Sequence, residues 1–186
     1  MGQSDIIIAV PAWLSAAEAA CTGTFPTPEA RMALAVDLSR QNIAEGTGGP
    51  FGAAVFDLAT GRLVAAGVNL VTSSDCSLAH AEMTAVARTQ QRLKTWNLAA
   101  KGRFELASSC APCAMCLGAV PWSGVCSLLC GARDADARAI GFDEGAKPAD
   151  WPAQLQNRGI AVAQDILRDP AVAVLRAYAA AGGIIY

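Results

Sequence analysis

Residues 104–130 read FELASSCAPCAMCLGAVPWSGVCSLLC, and the order of elements along them decides the fold. Residues 104–107 read as a strand. Pro112 then opens a short helix, at a position where its missing N–H costs nothing, and the helix runs to about Val120 before Pro121 closes it. Residues 125–130 form another apolar strand.

Upstream of that stretch, Thr27-Pro28-Glu29 supplies a capping hydroxyl, a first-turn proline and early negative charge. A helix starts there and runs to about Glu45, with Met32, Val36 and Ile43 on its apolar side. Gly46-Thr47-Gly48-Gly49-Pro50 breaks it. Residues 52–56 and 63–69 are β-prone runs around Ala59-Thr60-Gly61, a hairpin signal. From His80 to about Thr95 the chain is strongly helix-forming, with Met83, Val86 and Leu93 at helical spacing. Downstream, residues 160–162 make a short strand, and Asp169-Pro170 caps a last helix ending at Gly182-Gly183. Strands separated by helices of this length predict an α/β sandwich around a mixed sheet. The 186 residues suit a single domain, with residues 1–26 as a loosely specified lead-in.

Composition excludes several classes. Fourteen basic and sixteen acidic residues give a formal charge of −2, and only Lys94, Lys101 and Lys147 are lysines. A protein gripping a long nucleic acid needs clustered positive charge, which is absent. Charged residues are 16%, too few for a disordered polyelectrolyte segment. Apolar residues reach 53%, but 40 of the 186 are alanine, so the core is less bulky than that fraction suggests. The richest apolar run, AVAVLRAYAAAGGIIY, is interrupted by Arg176 and falls short of the roughly 18 residues of a membrane span. Asp5 sits where a secretory signal wants positive charge, and Ile6 where a myristoylation motif wants Ser or Thr. Seven cysteines, three of them within residues 110–116, fit reduced thiols in the cytoplasm better than a secreted disulfide framework.

The chemistry concentrates in His80-Ala81-Glu82 and Pro112-Cys113-Ala114-Met115-Cys116. Cysteines three apart on a helix lie about 60° from each other, so Cys113 and Cys116 can reach one ion. A helix N-terminus also favours thiolate, the metal-binding form. One imidazole and two thiolates suit zinc. His80 and Glu82 are about 200° apart in a helix interior and cannot both face an ion there. At a helix start the ion can sit off the end, which is where the pattern places His80. Three protein ligands leave a fourth position for water, whose pKa zinc lowers to about 7, with Glu82 as the proton carrier. The alternative is a closed structural site in which Cys110 supplies a fourth ligand. Cys21, Cys76, Cys126 and Cys130 read as small core residues.

A histidine, an adjacent glutamate and a downstream P-C-x-x-C form the signature of zinc nucleobase deaminases. From Pro28 to Tyr186 the chain resembles the cytidine and deoxycytidylate deaminase superfamily, and within it the bacterial guanine deaminases. The resemblance rests on Gly49-Pro50-Phe51-Gly52-Ala53, Asn69, residues 79–82, and residues 113–119 followed by Trp122. Ile140-Gly141-Phe142-Asp143-Glu144 and the terminal Tyr186 complete it. It departs at Ala111, where the family commonly has glutamate.

This resemblance implies a three-layer α/β/α sandwich with a mixed five-stranded sheet. It implies one zinc per subunit on His80, Cys113 and Cys116, Glu82 as proton shuttle, and hydrolysis of guanine to xanthine and ammonia. The Ala81 backbone N–H and the Asn69 side chain would bond the purine, with Phe51 and Trp122 as apolar walls. Glu144, or its neighbour Asp143, would be a second carboxylate at the purine's polar edge. Family members of this type form homodimers that exchange C-terminal segments, and Tyr186 matches the aromatic residue that caps a neighbour's pocket. Triazines and transfer-RNA adenosine are the alternative substrates, and a non-catalytic zinc-stabilised binding domain the alternative class.

Overall fold

In the computed structural model, which describes residues 7–186, the central strands are buried along nearly their whole length, so both faces must be covered by helices. The Asp5 and Ile6 readings lie outside the described residues. The elements in chain order are α1 (Ala12–Ala20), α2 (Pro28–Ala44), β1 (Gly52–Asp57), β2 (Arg62–Val68), α3 (Ala81–Leu93) and β3 (Phe104–Cys110). There follow α4 (Ala114–Ser123), β4 (Ser127–Ala132), α5 (Asp134–Arg138), α6 (Trp151–Asn157), β5 (Ala161–Ala163) and α7 (Arg168–Ala180).

The sheet order is β2-β1-β3-β4-β5. The β1 strand runs antiparallel to both β2 and β3, while β3/β4 and β4/β5 are parallel. The parallel pairs are those joined through helices, because a hairpin cannot return a strand in the same sense. Alternation then separates two cores. Ala54 and Phe56 of β1, Ala107 of β3 and Leu129 of β4 pack with Leu14, Met32, Val36 and Leu175 from α1, α2 and α7. Ala53, Val55, Leu106 and Leu128 face the other way, onto Ala85, Val120 and Leu155 from α3, α4 and α6. The result is the expected three-layer α/β/α sandwich with a mixed five-stranded sheet.

Local signals hold where a cap or a turn residue carries them. Thr27 caps α2, its hydroxyl accepting from the Ala30 N–H at 3.1 Å. A buried ion pair then welds α2 to the sheet. Arg31 Nε lies 2.5 Å from Glu105, whose other oxygen accepts from the Ser127 hydroxyl at 2.7 Å. On the opposite layer, Gly67 lets α3 lie directly on β2, since a Cβ there would come within 2.3 Å of the Ala85 nitrogen. That close approach fixes the start of α3.

Three expectations need correction. The lead-in is not loose throughout: it contains α1, with Leu14 fully buried. Glu18 of α1 pairs with Arg88 at 2.7 Å and Arg92 at 3.0 Å on α3, contacts distant in sequence. Pro121 does not close α4, which continues to Ser123 and ends at left-handed Gly124. A proline removes only its own N–H bond, and so near the helix end little remains to break. Of the four cysteines read as core, only Cys130 is fully buried; Cys21, Cys76 and Cys126 are half-buried. All seven thiols are free.

Candidate active site

Two helix starts meet at the C-terminal end of β3. His80 is the residue before α3 and Cys113 the residue before α4, both with extended backbone. The His80 Nδ1 and Cys113 Sγ atoms are 3.5 Å apart. With Cys116, one turn into α4, their ligand atoms all fall within 4.8 Å of one another. This donor set, one nitrogen and two sulfurs, fits a zinc ion, and the two helix N-termini favour its thiolates. Among the described residues Cys110 is not part of the group. Its thiol instead donates to the Arg133 carbonyl at 3.7 Å, which removes the fourth ligand that a closed site would need.

The electrostatics favour a thiolate within the group. A hydrogen bond from Cys116, then one from His80, hold the Cys113 thiol at about 4 against the opposing effect of burial. Cys116 is correspondingly pushed up, since it keeps the proton the two sulfurs share. Burial pulls the His80 imidazole down, but the bond to Cys113 and the charge of Glu82 outweigh it and leave it raised.

Glu82, in the first turn of α3, is buried with its Oε2 3.5 Å from Cys116 Sγ. Burial, and then the charge of Cys113, raise its pKa. A carboxyl with raised proton affinity beside a metal group is suited to carrying protons. Ala81, also fully buried, contributes a first-turn N–H that has no partner within its own helix.

A cleft opens beside the metal group. Phe51, Asn69, Asp143, Glu144 and Tyr186 line it, as does Phe142. The aromatic rings meet edge-on: Phe142 lies 4.9 Å from Phe51 and 5.4 Å from Tyr186, centroid to centroid. Asn69 is buried, its side-chain oxygen accepting from the Val71 N–H at 3.2 Å, and both it and the Tyr186 hydroxyl face Gly49. Gly49 makes room for that meeting, since a Cβ there would stand 3.0 Å from the Tyr186 hydroxyl. Tyr186 thus lies over the cleft of its own chain.

The two candidate carboxylates separate cleanly. The Asp143 side chain is 85% exposed, 3.7 Å from Arg138, and caps the Gly145 N–H at 2.9 Å. Glu144 is buried at the cleft wall, where burial pushes its pKa up to about 7 despite the opposing charge of Lys147. Trp122 is a correction, for it is 79% exposed and lies outside the cleft. Cys116, Val120 and Ser123 set the inward face of α4, and residue 122 lies about 200° from residue 120. Trp122 instead lines an outer groove with Leu117, Pro121 and Trp151.

Two contributing residues escaped the sequence reading. Phe142 lies inside the segment 140–144, where no pattern singles it out from its neighbours. Asn42, fully buried on α2, donates to the Gly49 carbonyl at 2.8 Å and so frames the cleft from behind. A polar residue in line with Ala35 and Leu38, on the core-facing side of α2, was the available signal.

Comparison with known proteins agrees with this geometry. Residues 26–132 match the cytidine and deoxycytidylate deaminase zinc-binding region. The guanine deaminase of Bacillus subtilis (strain 168) is 38% identical over 122 residues, covering 64% of this chain and 75% of that protein. The structure of NE0047 in complex with 2,6-diaminopurine is 48% identical, covers 97% of this chain and 95% of the other, and superposes with a TM-score of 0.89. The structure of guanine deaminase from Nitrosomonas europaea is 46% identical over 96% of this chain and 100% of its own, again with a TM-score of 0.89. A zinc-ready triad on two helix starts, the sandwich that presents it and these likenesses converge: the chain belongs to the cytidine and deoxycytidylate deaminase family.

Proposed function

We propose that this protein hydrolyses guanine to xanthine and ammonia. The observation that carries the reading is the placement of buried Glu82 against the His80–Cys113–Cys116 group, at the floor of a cleft that also holds Asn69 and Glu144. The relatives named as guanine deaminases, and the 2,6-diaminopurine held by NE0047, support a 2-aminopurine as the substrate.

The chemistry that a zinc ion on His80, Cys113 and Cys116 would supply is Lewis acidity, which makes a water nucleophilic near neutral pH. The remaining work falls to the chain. The Asn69 side chain and the Ala81 N–H orient the flat ring, and Phe51 with Phe142 enclose its faces. Glu82 accepts one proton of the attacking water and hands it to a ring nitrogen; it then takes the remaining hydroxyl proton of the adduct and delivers it to the amine, which leaves as ammonia while the carbonyl forms. Glu144 meets the polar edge of the purine and aids that departure. Tyr186, over the mouth, excludes bulk water.

The reading extends to a single domain acting as a homodimer in the cytoplasm. Leu117, Pro121 and Trp122 form an apolar outer groove on α4 that a second copy would cover, and seven free thiols suit a reducing compartment. Among the described residues no helix is long and apolar enough to cross a membrane. The purified zinc-loaded protein, incubated with guanine, should deplete the ultraviolet absorbance of that base. Turnover of cytosine or adenosine with none of guanine would overturn the assignment.

A further inference from the structure

Of the three lysines, Lys94 and Lys101 are the surface residues expected of a lone lysine, but the Lys147 side chain is only 6% exposed. Its ammonium lies 2.6 Å from the Pro112 carbonyl, 2.5 Å from Asp134 Oδ1 and 3.8 Å from Glu144 Oε2. A buried cation is tolerated only when its charge is met and its three donors find acceptors. Here the groups that meet the charge come from three separate segments. Pro112 precedes the ligand Cys113, Asp134 opens α5, and Glu144 belongs to the loop that closes the cleft.

The spacing distinguishes two jobs. At 2.5 and 2.6 Å, Asp134 and Pro112 hold the ammonium in place. At 3.8 Å, Glu144 is beyond hydrogen-bond range and is attracted by charge alone, which in a buried setting is weakly screened. The backbone of Glu144 is fastened to the same region, its carbonyl accepting from the Ala114 N–H at 2.9 Å. Main chain and side chain of Glu144 are therefore both referred to the start of α4. Asp143, one residue earlier and lacking this anchor, points to solvent.

We infer that Lys147 is a positioning residue for Glu144, holding its carboxylate at the cleft wall in register with the start of α4. This rests on the reading of Glu144 as a substrate-contacting carboxylate. Lys147 is not itself part of the cleft lining, so its effect on turnover passes through Glu144.

A double-mutant cycle on the zinc-loaded enzyme tests it, with Lys147→Met, Glu144→Gln and their combination assayed on guanine alongside zinc content and thermal melting. Lys147→Met should lower kcat by about 10-fold or more with zinc content intact, the scale of a misplaced catalytic contact. In the Glu144→Gln background the same change should alter kcat by less than about 2-fold, because the partner through which it acts is gone. Equal losses in both backgrounds would overturn the inference and leave Glu144's role standing. An unchanged kcat in Glu144→Gln alone would overturn the reading of Glu144 and the inference with it. Should Lys147→Met fail to fold, Asp134→Asn replaces it in the cycle. It should cost several-fold in kcat, again only while Glu144 is present, and an additive result overturns the inference.

Discussion

Asn42 donates its side-chain amide to the backbone carbonyl of Asn69 at 2.8 Å, wholly inside the protein. The same amide reaches the Gly49 carbonyl at 2.8 Å, and its oxygen accepts from the Thr47 hydroxyl at 2.6 Å. Thr47 accepts in turn from the Trp13 indole at 3.1 Å, so α1 braces the wall of the cleft from a distance. Asn42→Ala would leave the buried Asn69 carbonyl unmet, at about 1–3 kcal/mol, while the Gly49 carbonyl keeps the Phe51 N–H at 2.9 Å. The expected outcome is a fall in Tm of roughly 3–10 °C, with a raised KM for guanine as Asn69 loosens. Thermal unfolding and steady-state kinetics check both parts.

Glu82→Gln should keep the metal and the fold, because glutamine is isosteric and the ligands are untouched. Turnover should fall by at least about 10²-fold, the scale of a lost general acid–base. Metal analysis of the variant beside its guanine assay makes the comparison.

Removing zinc with a chelator should abolish turnover and lower stability together. An ion present at 100 times its Kd contributes about 2.7 kcal/mol to the native state. Melting curves before and after chelation should show the loss, and restored zinc should reverse it.

Trp122→Ala should leave kcat/KM within about 2-fold, as expected for an exposed substitution outside the cleft. Its effect should appear in association, where light scattering should show a weaker dimer.

Acid stability carries a separate signature. Bonds from Arg168, at 2.8 and 2.9 Å, hold the Asp136 carboxyl below its ordinary range. A depressed folded-state pKa contributes stability that is complete above the unfolded value, near 3.9, and lost as pH falls through the folded one. Asp136→Asn should therefore be less stable than the parent at neutral pH, by at most about 1 kcal/mol, and nearly equal to it near pH 2. Denaturant titrations at the two pH values measure the difference.

The zinc group was legible because coordination restricts residue type and spacing at once: among the described residues His80, Cys113 and Cys116 satisfy both on two helix starts. The sheet was legible through its apolar strands and the Thr27 cap. The rest depends on contacts that no local pattern encodes. The α1 helix has no side-chain cap at Pro11 and is held by Glu18 reaching Arg88, 70 residues away. Lys147 reads as a surface lysine until Asp134 and Pro112 are found around it. Trp122 reads as a wall because aromatic residues line purine pockets, but helical phase turns it outward. Glu144 and Asp143 are equivalent in sequence, and only burial separates them.

Gly67 is not part of the cleft lining, yet a mutational scan scored on metal uptake should flag it. Any side chain there must lever α3 off its strand, swinging the imidazole at its tip out of reach of the sulfurs. Tolerance maps of this protein should accordingly show intolerance on the strand beneath the helix as sharp as at the ligands themselves.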